Sequence, residues 1–140
     1  MKSSQFAVAT HILVSVEYRT KRGEEFVSSA IIATSVNTNP VVVRELLRKL
    51  RAAGLVTTKE GSGGGVQLAR TASEITLRDI YEAVEDGPVL KGNCRPAHHP
   101  CPVSCGMKSA LDPVINEAES AMLDVLEKRR LSDLMREIDH

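Results

Sequence analysis

The stretch TNPVVVRELLRKLRAAGLVTTKEGSGGGVQL, residues 38–68, reads as a helix followed by a hairpin. Asn37, Thr38 or Asn39 can accept hydrogen bonds from the first free amides of a helix, and Pro40 brings the fixed φ suited to the first helical position. Val43, Leu46, Leu47 and Leu50 then recur at spacings of three and four, which buries one face and leaves Arg44, Arg48 and Arg51 mainly on the other. Gly54 suits the left-handed position just past a helix end. Leu55–Lys59 is half-apolar and rich in Val and Thr, Gly61–Gly65 permits a tight turn, and Val66, Gln67 and Leu68 alternate like a returning strand. A helix of major-groove size with guanidinium groups outward, beside a glycine-rich tip that can approach a phosphate backbone, makes a winged helix-turn-helix. A solvated basic helix face is common, so it is the combination that favours DNA. The glycine run does not read as a nucleotide loop, because it lacks the Lys-Ser/Thr ending of a P-loop and no helix follows at once.

At 140 residues the chain has the length of one domain, and 42% hydrophobic with 26% charged residues is the balance of a soluble globular protein. Aromatic content of 3% and the absence of Trp predict an aliphatic core. The formal net charge of zero argues on its own against a nucleic-acid binder, but it conceals an asymmetry. Residues 1–70 carry ten Lys or Arg against five Asp or Glu, whereas residues 71–140 carry eight against thirteen. The electropositive half is the one that holds the helix and hairpin.

Phe6–Val16 is apolar, but His11 and Ser15 interrupt it and a charged run from Glu17 to Arg22 follows without a small-residue cleavage site. Phe6, Ala9, Leu13 and Val16 lie at helical spacing, so this stretch is expected to be a buried first helix. No run approaches the ~18 apolar residues of a membrane span, and a cytoplasmic protein with no membrane partner is expected. Thr20–Glu25 reads as a charged turn. Val27–Val36, with Ser28 or Ser29 as a cap, reads as the second helix of a helix-turn-helix. Thr76 can cap a helix over Leu77–Glu85. Residues 86–106 then read as a loop with six glycines and prolines counted between Gly87 and Pro102 and all three cysteines. From near Met107, Leu111, Val114, Ile115, Ala118, Met122, Val125 and Leu126 predict a helix of about 20 residues whose apolar side a second copy would cover. A short helix is expected from around Ser132. The chain thus divides into a winged-helix DNA-binding domain over 1–86, a sensor loop over 87–106, and a dimerisation helix with a short last helix over 107–140. The fold class is mostly α with a small β-hairpin wing.

The wing and its sequel, GSGGGVQLARTASEITLRDIYEAVE, resemble the corresponding stretch of Rrf2-family bacterial transcription regulators. The resemblance extends to FAVATHIL at residues 6–13, to NPVVVRELLRKLRAAGLV at 39–56, to the cysteine-bearing loop and to the long helix. It implies a winged-helix homodimer that binds a double-stranded operator, usually as a repressor. Carried onto this chain, the helix Pro40–Ala52 would enter the major groove, with Thr38, Asn39, Pro40, Val42, Arg44, Arg48 and Arg51 as candidate contacts. Lys59 and the tip Ser62, Gly63, Gly64 and Gly65 would lie near the minor groove, and Ser4 and Gln5 of the first helix would also touch DNA. A winged-helix module that binds a protein instead of DNA is the alternative. No nucleophile with a nearby base and no cofactor fingerprint points to an enzyme.

Some Rrf2 members hold an iron–sulfur cluster through three cysteines in this loop, and Cys94, Cys101 and Cys105 stand in the matching region. Three thiolates can hold a cluster when a fourth ligand arrives from elsewhere. The spacing departs from the pattern of cluster-binding relatives: three residues separate Cys101 from Cys105, where about five are usual. Transient disulfide or electrophile chemistry, zinc with His98 and His99, and an inert packing role remain open alongside the cluster.

Overall fold

The computed structural model describes residues 4–93 and 95–138. In chain order these form α1 (Ser4–Thr20), α2 (Ser29–Val36), α3 (Pro40–Ala52), β1 (Val56–Lys59), β2 (Gly65–Leu68), α4 (Leu77–Val84), α5 (Pro102–Glu127) and α6 (Leu131–Ile138). Helix α1 is central, packing against α2, α3, α4, β2 and α6. Its Ala9, Ile12, Leu13 and Val16 are fully buried, and Val43, Leu46, Leu47 and Leu50 of α3 close on the same core. Each Val or Leu so buried stabilises the fold by about 1.5–3 kcal/mol before conformational entropy is counted.

The turn between α2 and α3 has a cap on each side. Asn37 ends α2 in the left-handed region, at φ 57°, with its amide donating to Ala33 O at 2.9 Å. Asn39 Oδ1 accepts from the Val41 amide at 2.8 Å, and Pro40 takes the first helical position. Of the candidate caps for α3, Asn39 is therefore the one used, while Ser28 caps α2. Gly54 at φ 78° closes α3, and Leu55 donates back to Leu50 O at 3.0 Å.

Strands β1 and β2 pair antiparallel, from Val56 opposite Leu68 to Lys59 opposite Gly65. Two features of the hairpin differ from the sequence reading. Val27, expected to open the second helix, instead bridges Val66 through hydrogen bonds of 2.9 and 2.8 Å and adds a one-residue third strand. Gly65, read as part of the wing tip, begins β2, where a Cβ would lie 2.4 Å from Val27 O. The absence of a side chain there serves the close approach of two backbones.

Helix α4 opens with a capping box in which Thr76 Oγ1 accepts from the Asp79 amide and Asp79 accepts from the Thr76 amide. Helix α5 begins at Pro102 rather than near Met107, because Cys101 stands at the N-cap and Pro102 at the first position, so the Pro-rich run ends in a helix start. It has 26 residues, about 39 Å of axis, with Pro113 inside it. None of its residues is buried, and Val103, Leu111, Val114 and Val125 stay exposed. Helix α6, grouped by its position in the sequence with the dimerisation helix, packs on α1 with Leu131 and Met135 in the core. The Leu77 amide donates to Arg129 O and the Leu131 amide to Ile75 O, each at 2.9 Å, which ties the last helix to the start of α4. Among the described residues no helix is long and apolar enough to cross a membrane.

Candidate nucleic-acid interface and cysteine loop

Burial of one side of α3 leaves Val41, Val42, Arg44, Glu45, Arg48 and Arg51 on the solvent side. Arg48 Nε and Nη2 donate to Glu45 at 3.1 and 2.6 Å. Hydrogen bonding from Arg48 holds the Glu45 carboxyl below its usual range, and the same contact raises the guanidinium. Sequence reading counted the arginines and missed Glu45, although the i, i+3 spacing was there to be read. It also missed Val41, which is 61% exposed beside Val42 at the start of α3. Arg44, Thr38 and Pro40 line a cleft of about 340 Å³ between α2 and α3.

Lys49 belongs to a different set of contacts. Its Nζ donates to Gln5 Oε1 at 3.2 Å, to Val84 O at 3.3 Å and to Asp86 Oδ1 at 3.4 Å. Gln5, expected to face DNA, therefore has its side-chain oxygen engaged in fastening α3 to the ends of α1 and α4. Ser4 lies in the first turn of α1. On the wing, Lys59 Nζ sits 5.5 Å from the centroid of the Phe26 ring. Ser62 and Gly63 are exposed at the tip, where Gly61 and Gly63 have φ of 88° and 75°. Gly64 is held close: a Cβ there would meet Lys59 O at 2.2 Å.

Cys94 lies outside the described residues. Cys101, half-buried, and Cys105, exposed, stand one helical turn apart at the start of α5, which puts both thiols toward one face. Cys105 Sγ is 3.0 Å from His99 Nδ1, and the His98 amide donates to Ser104 Oγ at 2.6 Å, folding the loop back on the helix start. The two thiols open on a cavity of about 620 Å³ with Arg95, Val103 and Leu111 among its walls. Two sulfurs and one imidazole fit a soft-metal or iron–sulfur group in donor type. With Cys94 outside the described residues, no group of three or more His, Cys, Asp or Glu among those described is placed to hold a metal ion, so a cluster here would need Cys94 as a ligand.

The chain matches the family model Rrf2, described as an iron-dependent transcriptional regulator, over residues 2–137. It is 35% identical over 138 residues, 99% of both chains, to YwnA of Bacillus subtilis, named as a candidate HTH-type transcriptional regulator. The HTH-type transcriptional regulator NsrR of Bacillus licheniformis is 30% identical over 123 residues, which is 86% of this chain and 83% of NsrR. The crystal structure of a candidate DNA-binding protein superposes with a TM-score of 0.74 at 35% identity, covering 94% of this chain and 99% of that one. A basic outer face on α3, a helix-turn-helix with a glycine-tipped wing, and a family match over nearly the whole length agree: the chain belongs to the Rrf2 family of winged-helix transcriptional regulators.

Proposed function

We propose that the protein is a homodimeric, operator-specific DNA-binding repressor whose affinity is set by the state of the thiols at the start of α5. The observation that carries the DNA reading is the solvent side of α3, where Arg44, Arg48 and Arg51 stand outward while the opposite side is locked in the core. In this reading α3 enters the major groove, with Val42 and Arg48 near base edges and Thr38, Asn39 and Pro40 at the phosphates. Lys59 and the tip Ser62 and Gly63 approach the neighbouring minor groove, and Gly64 and Gly65 shape the wing. The dimer is supported by α5, whose Leu111, Val114 and Val125 are left exposed by the described residues. A two-fold dimer requires a roughly palindromic operator with half-sites one or more helical turns apart. Fluorescence anisotropy with promoter DNA and a scrambled duplex, across a salt series, tests this. Selectivity for the promoter with a steep salt dependence is expected, and equal, salt-insensitive binding to both duplexes would reject it.

For the signal, Cys94, Cys101 and Cys105 would hold an iron–sulfur cluster, which supplies redox and oxygen sensitivity when bound. The family's description as iron-dependent supports that reading. The contact between Cys105 and His99 favours a second one, in which the exposed thiol, with the imidazole beside it, reacts with an oxidant or electrophile. Iron and sulfide analysis of protein purified without oxygen decides between them. Stoichiometric iron and sulfide support the cluster, whereas metal-free protein from iron-replete cells supports thiol chemistry. In either case the triple Cys→Ser variant is expected to bind the operator and to ignore the signal.

A further inference from the structure

Between α1, α4, the loop that follows α4, and α5 lies another cavity, of about 440 Å³, lined by neither Cys101 nor Cys105. Phe6, Val89, Met122 and Leu126 form apolar walls. Tyr81 and Glu85 supply polar groups: Tyr81 Oη and Glu85 Oε1 are both shielded from solvent without a geometric hydrogen-bond partner among the described residues, the Val89 backbone lying near the hydroxyl. Tyr81 is 7% exposed, with its ring edge-on to Phe6 at 6.1 Å. A buried carboxylate oxygen that has given up water without gaining a donor is costly, so an occupant that donates to it binds at an advantage.

The surroundings decide the sign of that occupant. Glu85 and Asp86 line the cavity and the Glu119 charge acts on Tyr81; Lys91 is the one cation among the described lining residues. Lys49 nearby is already engaged with Asp86. Burial, Glu119 and Glu85 all push the Tyr81 hydroxyl up, so it stays neutral and able to donate or accept.

We propose that this cavity binds a small organic cation, a primary ammonium on an apolar body, with the ammonium at Glu85 Oε1 and Tyr81 Oη and the body against Phe6, Met122 and Leu126. The volume is in the ordinary range for small-molecule sites. The site also touches the recognition helix, since Asp86 lines the cavity and accepts from Lys49 of α3, and Gln5, another Lys49 partner, precedes Phe6. An ammonium near Asp86 competes with Lys49, so its binding and operator binding are linked. That link rests on the DNA reading of α3; the binding itself does not.

Calorimetry on the full chain with phenethylammonium, 2-phenylethanol and phenylacetate tests the site. The ammonium is expected to bind with a Kd below about 1 mM, the alcohol about tenfold more weakly, and the carboxylate not at all. Glu85→Gln is expected to weaken the ammonium about tenfold or more while keeping the parent's melting temperature and ligand-free operator affinity. Should Glu85→Gln fail to fold, Tyr81→Phe keeps the ring against Phe6 and removes only the hydroxyl, and it too must weaken the ammonium. Equal binding of the alcohol or carboxylate, indifference to these substitutions, or no binding of any probe would overturn the site. Because these measurements need no DNA, their failure leaves the operator reading standing. A change of operator affinity with saturating phenethylammonium is expected, and its absence would overturn the link to α3.

Discussion

Arg48 and Glu45 put a cation and an anion together on the side of α3 that the proposal assigns to the major groove. A guanidinium held by its neighbour must give up part of that ion pair to meet DNA, whereas a carboxylate facing a groove repels every phosphate and is tolerated only where a cytosine amino group meets it. Arg48→Ala is accordingly expected to weaken operator binding about tenfold, within the ~1–3 kcal/mol of a good base contact. Glu45→Ala should act in the opposite sense, raising affinity for scrambled duplex and narrowing the discrimination measured by anisotropy. If it left both affinities unchanged, Glu45 would lie away from the DNA. Asp133 accepts from the Arg130 amide at 2.8 Å at the start of α6, and that contact first, then Arg136, lowers its carboxyl. A depressed carboxylate stabilises the fold above its unfolded value, about 3.9, and ceases to do so as pH falls through the folded value. Asp133→Asn should therefore melt below the parent at pH 7, and the gap should close as the pH falls below about 4.

Helix α3 was legible because local chemistry punctuates both ends: Asn39 and Pro40 start it, Gly54 stops it, and four aliphatic residues mark one face. The hairpin was legible for the same reason up to its last glycine. A run of glycines says that the backbone must bend or approach something, but not which residue does which. Gly63 meets a positive φ in open space, while Gly65 meets the Val27 carbonyl. Gly65→Ala should thus cost more in a urea melt than Gly63→Ala, about 1–3 kcal/mol for the forced backbone against roughly 1 kcal/mol for the left-handed residue alone. Equal costs would mean that Val27 can yield. The pairing of Val27 with Val66 was invisible because one bridged residue has no periodicity. The start of α5 was misplaced because proline and glycine around Cys101 read as loop, although Pro102 followed the rule that had located α3.

Sequence periodicity tells which side of a helix is buried but not against what, and α5 and α6 show the difference. Both are amphipathic, yet Leu131 and Met135 of α6 enter the core around α1, while α5 lends it only the flank of Leu126 and leaves Leu111, Val114 and Val125 exposed. The proposed dimer rests on those exposed residues, so Leu111→Glu with Val114→Glu should yield a folded monomer by light scattering, with operator affinity greatly reduced. A doubly substituted chain that stayed dimeric would place the interface elsewhere. The charge asymmetry fits this division, with the basic half carrying α3 and the wing and the acidic half carrying α5. Helix α5 also contains Pro113, which has no amide to offer the Ser109 carbonyl. The missing rung leaves a weak joint between the end that bears Cys101 and Cys105 and the end that packs on α4. Roughly 16 Å of rigid rod lies on the cysteine side of that joint, so a tilt of only about 10° sweeps the thiols through about 2–3 Å. A small chemical event at a sulfur can in this way be geared up, or a displacement at the protein's partner geared down, by one residue that can bond neither.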